Sequence, residues 1–268
     1  MEKKRIINIF ANNYELSKET KRILKQKLEK SGFIVPSQFD PEAELIVCVG
    51  GDGSFLKTLH KYQFPDIPFI GVNTGHLGFF QELHPDQLDE FIFKYKQKAY
   101  EVQSLKTVKA EIEVGENTYT HLALNEVIIK GDRSQSVHLN LSIGDSFIER
   151  FSGDGLLIAT PAGSTAYNYA LGGSIVDPRL KLLQVTPIGP MNTTAYRSFT
   201  SSVILPADLF VTIFPETKEE RGIVIVADGM EYRYGNIDQL KVGFAQNMVK
   251  LLRFENYDFW TKVKSKFL

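Results

Sequence analysis

Asp52 is the only ionisable side chain in the stretch Gly50-Gly51-Asp52-Gly53-Ser54, and that setting makes it the first candidate for chemistry. Glycines permit positive φ and close backbone approach, so such a turn can present bare N–H groups to a phosphate. A carboxylate placed there repels the phosphate unless it accepts a proton or binds a metal. The same residues also read as a tight surface turn with aspartate as a turn former. Three further polar groupings follow. Asn125-Glu126 interrupts the apolar run from Leu122 to Ile129, and an amide beside a charge in a strand needs partners if buried. Gly153-Asp154-Gly155 lies between two strand-like runs and alone reads as a hairpin turn. Residues 160–167, Thr-Pro-Ala-Gly-Ser-Thr-Ala-Tyr, end another run and lead into a short helix closed by Gly172-Gly173. Hydroxyls and exposed N–H groups at a helix start suit ribose, amide or phosphate recognition, or simply cap and pack the loop. His76 could be a ligand or a base; with no second His or Cys at metal-ligand spacing, a hydrogen-bonded structural histidine is the stronger reading.

These groups must be positioned by elements that the hydrophobic pattern outlines. Residues 45–49 are an unbroken apolar, β-branched run that ends at the glycine turn, after which Phe55, Leu56, Leu59 and Tyr62 recur at helical spacing. A helix dipole and free amides therefore face the exit of a strand. Residues 5–10 and 68–72 read as further strands, the latter running into Asn73 and the turn that follows. Between the first two strands lies a helix with Ser17 as its cap, Leu16, Ile23, Leu24 and Leu28 on the apolar side, and Gly32 at its end. Alternating strands and helices imply right-handed crossovers and a parallel Rossmann-like sheet, in which ligands gather at the carboxyl ends of the strands. A helix over residues 85–97, with Leu88, Phe91, Ile92 and Tyr95 inward, closes this part.

From about residue 99 short β-rich runs dominate, with hairpin signals at Gly115-Glu116-Asn117 and Gly144-Asp145. The expected fold is an α/β domain over residues 1–98 and a mostly antiparallel β domain over residues 99–253. A final amphipathic helix within residues 254–268, carrying Phe259, Trp260, Val263 and Phe267, packs back on the first domain. With 268 residues, 43% of them hydrophobic, the chain can bury one large core or two smaller ones. A formal net charge of −1 gives no support for nucleic-acid binding. The single Cys48, inside a strand, excludes an internal disulfide and fits a reducing cytosol. The basic N-terminus has too short an apolar run for a signal peptide, and no run approaches the roughly 20 residues of a membrane span.

Taken together, the motifs resemble those of the NAD kinases over nearly the whole chain: Gly50-Gly51-Asp52-Gly53, the Asn-x-Gly-x-Leu-Gly-Phe turn at residues 73–79, Asn125-Glu126, Gly153-Asp154-Gly155, and the hydroxyl-rich signature at residues 160–167. The resemblance implies an enzyme that transfers the γ-phosphate of ATP to the 2′-hydroxyl of the adenosine ribose of NAD. It makes Asp52 the proton acceptor and gives the phosphates the backbone of Gly50, Gly51 and Gly53. NAD would be held by Asp52, Gly53, Phe79, Asn125, Glu126, Asp154, Ser164, Thr165, Ala166 and Tyr167. Mg²⁺ or another divalent cation would come with ATP, with no metal ligands assigned to the protein. The resemblance further implies a homodimer or homotetramer, while charge, hydropathy and the single cysteine point to a cytoplasmic protein with no nucleic-acid or membrane partner. Departures from the family pattern are Ser54 for threonine, Ser152 where some relatives are basic (with Arg150 able to supply that charge), Ala170 for serine, and Met230 after Asp228-Gly229. Two alternatives stand beside this reading. Lipid kinases of the diacylglycerol and sphingosine type, and phosphofructokinases, share only the Gly-Gly-Asp-Gly turn, and a noncatalytic NAD(P) sensor would keep the groove without turnover.

Overall fold

The computed structural model of the chain describes residues 4–75, 78–216, 222–255 and 257–268, so His76 lies outside the described residues. Contacts divide the chain into two units, residues 1–104 with 248–268 and residues 105–247.

The first unit opens with β1 (Ile7–Ala11), α1 (Glu15–Lys30), β2 (Leu45–Val49), α2 (Asp52–Lys61), β3 (Phe69–Val72), β4 (Gln81–Leu83) and α3 (Leu88–Lys96). β1, β2 and β3 pair in parallel, with Ile7 opposite Leu45 and Val47 opposite Ile70. β2 is buried at every residue, which is why its sequence is continuously apolar instead of alternating. Leu24, Leu28, Phe91, Ile92 and Tyr95 pack from the helices onto Ile7, Val47 and Ile70 to make the core. Ser17 does not cap α1. The N-cap is Tyr14, and the Ser17 hydroxyl is buried 2.6 Å from that of Thr74, while Leu16 points to solvent.

The second unit contains the rest of β5 (Glu101–Val114), then β6 (Asn117–Ala123), β7 (Glu126–Gly131), β8 (Val137–Ile143), β9 (Ser146–Gly153), β10 (Gly155–Ala159), α4 (Tyr167–Ala170), β11 (Leu182–Ile188), β12 (Val203–Pro206), β13 (Val211–Pro215), β14 (Ile223–Ala227), β15 (Met230–Arg233) and the start of β16 (Gln239–Arg253). One antiparallel sheet runs β12-β11-β10-β7-β14-β15. A second set of antiparallel strands joins β16, β13, β8 and β9. Val127, Ile129, Leu156, Ile158 and Ile225 of the first face Leu139, Leu141, Phe151, Val211 and Ile213 of the second. The other face of the six-stranded sheet is also covered, by Leu171 among others, so β7, β10 and β14 read as unbroken apolar runs.

Two sequence expectations change here. The apolar run from Leu122 to Ile129 is not one strand: β6 ends at Ala123 and β7 begins at Glu126, leaving Leu124 and Asn125 at a break. Gly153-Asp154-Gly155 is not a hairpin, because β9 pairs with β8 whereas β10 pairs with β7 and β11; the chain changes sheets at Asp154. The chain re-enters the first unit along β16, where Leu251 pairs with Phe69, and ends in α5 (Phe259–Phe267).

Candidate active site

In the first unit the site grows from the β2 to α2 turn. Asp52 is the first residue of α2, whose leading amides have no partner within the helix. Its carboxylate accepts the N–H of Phe79 at Oδ2 and of Phe80 at Oδ1, both at 3.1 Å. The turn that supplies those donors begins with Asn73, whose Oδ1 accepts the Gly75 N–H at 3.1 Å. Gly78 lets it close, since a Cβ there would fall on the Asp52 carboxylate and the Gln81 side chain. The glycine turn and the Asn73 turn therefore meet through Asp52, whose side chain keeps 25% exposure.

Gly50 is not a free phosphate donor, because its N–H is bonded to the Val72 carbonyl at 2.9 Å. Gly51 and Gly53 line a crevice of about 850 Å³ with Asn12, Tyr14, Lys57 and Tyr62. Ser54 accepts from Asn12 Nδ2 at 3.0 Å, which shows what a hydroxyl at this position holds. At another part of the crevice Tyr62 packs against Phe10 and stacks on Phe39, with ring centroids 4.6 and 4.2 Å apart. Cys48 is buried and burial pushes its thiol up to about 12, which makes it unreactive.

Phe79 is no exposed groove wall. It is buried, with the rings of Phe259 and Phe267 of α5 at 5.8 and 6.2 Å. Beside it Arg253 and Glu82 form an ion pair at 2.9 Å with side chains only 6% and 7% exposed, and Arg253 also donates to the Phe79 carbonyl at 3.2 Å. Lys262 of α5 donates to the Gln81 carbonyl, and burial lowers its pKa to about 8. Lys266 places Nζ 3.7 Å from Asp52 Oδ2. Neither lysine was singled out from sequence, although their spacing of four on an amphipathic helix puts both on one face.

In the second unit the strand break is the centre. Asp228 Oδ2 accepts the Leu124 N–H at 2.7 Å and Oδ1 the Asn125 N–H at 2.7 Å. Asp228 and Gly229 both have positive φ and join β14 to β15 as a two-residue hairpin loop, so the Asp-Gly turn carries its carboxylate to the break. From the other side Thr160 donates its hydroxyl to the Leu124 carbonyl at 2.6 Å and its N–H to the Asn125 carbonyl at 2.9 Å. Asn125 and Glu126 are each 6% exposed, and Asn125 Oδ1 and Glu126 Oε2 have no hydrogen-bond partner among the described residues. Desolvation, with the nearby Asp228 charge, raises the Glu126 pKa to about 8.

The hydroxyls of the 160–167 loop turn inward. Ser164 is fully buried, accepting the Val176 N–H at 2.9 Å and donating to the Pro161 carbonyl at 2.7 Å, which leaves it to hold the loop in place of the ligand contact expected from sequence. Thr165 leans on the Ala162 carbonyl at 3.4 Å. Ala166 is half-buried, while Tyr167 and Asp154 are exposed. Arg150 is bound to Glu216 and lies over the Tyr196 ring, so it is not a spare charge for position 152, where Ser152 is buried. Among the described residues no three His, Cys, Asp or Glu converge as a metal site, and no helix is long and apolar enough to cross a membrane.

Comparison with known proteins finds one family along nearly the whole chain. The ATP-NAD kinase N-terminal domain matches residues 3–100 and the ATP-NAD kinase C-terminal domain residues 124–253. An NAD kinase of Finegoldia magna is 41% identical over 268 residues, 98% of each chain. An NAD kinase of Lactobacillus johnsonii is 34% identical, over 86% of this chain and 87% of that one. Among solved structures, yeast NADH kinase complexed with NADH aligns with TM-score 0.85 at 18% identity, covering 98% of this chain and 87% of that one. An Archaeoglobus fulgidus NAD kinase in complex with ATP aligns at 0.75 with 23% identity, covering 97% and 99%. These two likenesses concern the fold.

Proposed function

The chain belongs to the ATP-NAD kinase family and has NAD kinase function, and from that premise we propose how its residues divide the reaction. Asp52 is the general base. It takes the proton of the adenosine-ribose 2′-hydroxyl as that oxygen forms a bond to the γ-phosphorus of ATP, the bond from γ-phosphorus to its bridging oxygen breaks, and ADP leaves. The observation that carries this role is the Asp52 carboxylate fixed by two backbone N–H groups at the start of α2, beside the crevice lined by Gly51 and Gly53. Phosphoryl transfer asks mainly for positioning and charge stabilisation, so a fixed carboxylate within about 3 Å of the hydroxyl suffices as base.

Gly51 and Gly53 give the triphosphate its backbone contacts, and Lys57 adds a cation in the same crevice. A divalent cation, Mg²⁺ by preference, accompanies ATP and offsets its charge, with no carboxylate cluster required of the protein. In the second unit Asn125 and Glu126 take the adenosine half of NAD, whose hydroxyl and amino groups would satisfy the two unpaired buried oxygens. Asp154, Ala166 and Tyr167 take the nicotinamide riboside half. Ser164, Thr165 and Phe79 serve by holding these elements. The resemblance further favours a homodimer or homotetramer, to be checked by light scattering on the eluted protein. A cytoplasmic location is supported by the lone, buried Cys48, as expected of a reducing compartment, and is to be checked by fractionation.

The test is NADP⁺ formation by the purified protein from NAD, ATP and Mg²⁺, read through an NADP-specific dehydrogenase, with Asp52→Asn assayed alongside. Product that depends on Asp52 supports the assignment. Saturable NAD binding without product would favour a sensor instead.

A further inference from the structure

A base carboxylate and a transferring phosphate are both anionic and must lie within a few ångströms of each other, so the first opposes binding of the second. In the proposed reaction Lys57 and the divalent cation offset the triphosphate, and the Asp52 carboxylate still needs a counter-charge of its own. Backbone N–H groups of Phe79 and Phe80 orient Asp52 but carry no net charge. Among the described residues the cation nearest its carboxylate comes from the far end of the chain, Lys266 of α5, with Nζ 3.7 Å from Oδ2.

The Phe79 ring meets that ammonium, and further contacts hold the helix that carries it. Phe79, the residue that donates to Asp52, is covered by Phe259 and Phe267 of the same helix, and Lys266 Nζ stands 4.8 Å from the centroid of its ring. Asp258 caps α5, accepting the Thr261 N–H at 2.7 Å, and Phe259 and Val263 are buried. Lys262, one turn earlier, is committed to the Gln81 carbonyl and lies 3.9 Å from Glu82. Lys262 therefore anchors the helix, and Lys266 is the lysine presented to the base.

We propose that Lys266 is a positioning residue for phosphoryl transfer, offsetting the Asp52 carboxylate so that base and ATP triphosphate can occupy neighbouring positions. The inference rests on Asp52 being the base. It assigns α5 a part in the reaction, and it requires that Lys266 act through Asp52.

That dependence can be measured as a double-mutant cycle on the full chain, with Lys266→Met, Lys266→Arg, Asp52→Asn and Asp52→Asn/Lys266→Met compared for Mg-ATP affinity by calorimetry and for turnover. Lys266→Met should weaken ATP about fivefold to tenfold, the order expected for one charge pair near 4 Å at a partly wet site, and should lower kcat as well. Lys266→Arg should restore most of both. In the Asp52→Asn background, with the carboxylate charge gone, the same methionine substitution should leave ATP affinity nearly unchanged. Lys266 is exposed, so melting temperatures should stay level across the set. Equal weakening of ATP in both backgrounds would overturn the inference, since Lys266 would then act on the phosphates directly. Unchanged ATP affinity and turnover in Lys266→Met, with Asp52→Asn inactive, would overturn it while sparing the base assignment. An active Asp52→Asn would instead remove the base assignment itself.

Discussion

Asp52 and Glu126 are both carboxylic acids to which the proposed reaction gives a part, and their surroundings separate them. Asp52 is partly exposed and accepts two backbone N–H groups, so it is held ready in one orientation. Asp52→Asn keeps the shape and removes the proton acceptor. It should lower kcat about 10²- to 10⁴-fold in the coupled assay while calorimetry shows NAD binding largely retained. Glu126 is buried with Oε2 unpaired, and its pKa rises from 4.5 to about 8. An acid with a raised folded pKa binds a proton in the native state that the unfolded chain has already released, so stability falls as pH rises from about 4.5 to 8. Each unit within that window costs up to about 1.4 kcal/mol. Lys262, whose folded pKa is lowered to about 8 from 10.5, contributes the opposite slope, but only above that range. Melting temperatures between pH 5.5 and 7.5 should therefore decline in the parent chain, and Glu126→Gln should flatten that decline. A slope unchanged by Glu126→Gln would show that other groups carry it.

Elements explain why those side chains are where they are, and how far sequence could foresee it. The parallel strands, the glycine turn into α2 and the hairpins at Gly115 and Gly144 were legible because each is a local pattern: β-branched runs, glycines at a strand exit, a two-residue turn. The inward turn of the hydroxyls in residues 160–167 was not. A serine offers the same chemistry to a ligand and to its own loop, and only the long-range partner Val176 decides for Ser164. The strand break at Asn125 was equally hidden, because its support comes from Asp228 and Thr160, distant in sequence. Gly163 tests that support. A Cβ at this residue would enter the Asn125 backbone, which cannot yield as a flexible side chain could. Gly163→Ala should cost about 1–3 kcal/mol, visible as a drop of several degrees in melting temperature, and should weaken NAD more than ATP. A variant of unchanged melting temperature and NAD affinity would mean that the loop does not position Asn125.

For the whole molecule the consequential feature is that the first unit is discontinuous. Its α/β pattern is complete in sequence by residue 98, and although the amphipathic stretch within residues 254–268 suggests a returning helix, nothing announces that the residues just before it join the sheet beside β3. The need appears in burial. Glu82 is 7% exposed, and its oxygens are met by Arg253 at 2.9 Å, the Phe254 N–H at 3.2 Å and Lys262 at 3.9 Å, all from the returning segment. Leu252 sits in the same core as Ile70 and Phe91. A chain ending at residue 247 would leave Glu82 as a buried charge without its partners, a loss of about 3–5 kcal/mol for the removed pair member alone, and would uncover Phe79 as well. That is a large part of the roughly 5–15 kcal/mol that holds a domain folded. The second unit keeps its own core, from Val108 to Val242. Hydrogen exchange on residues 1–247 should accordingly show protection lost across β1, β2 and β3 and retained in β7, β10 and β14, with kinase activity absent. Full protection of β1 to β3 would mean that the N-terminal segment folds without its C-terminal return, and the Arg253–Glu82 pair would then be an attachment to that unit and not one of its supports.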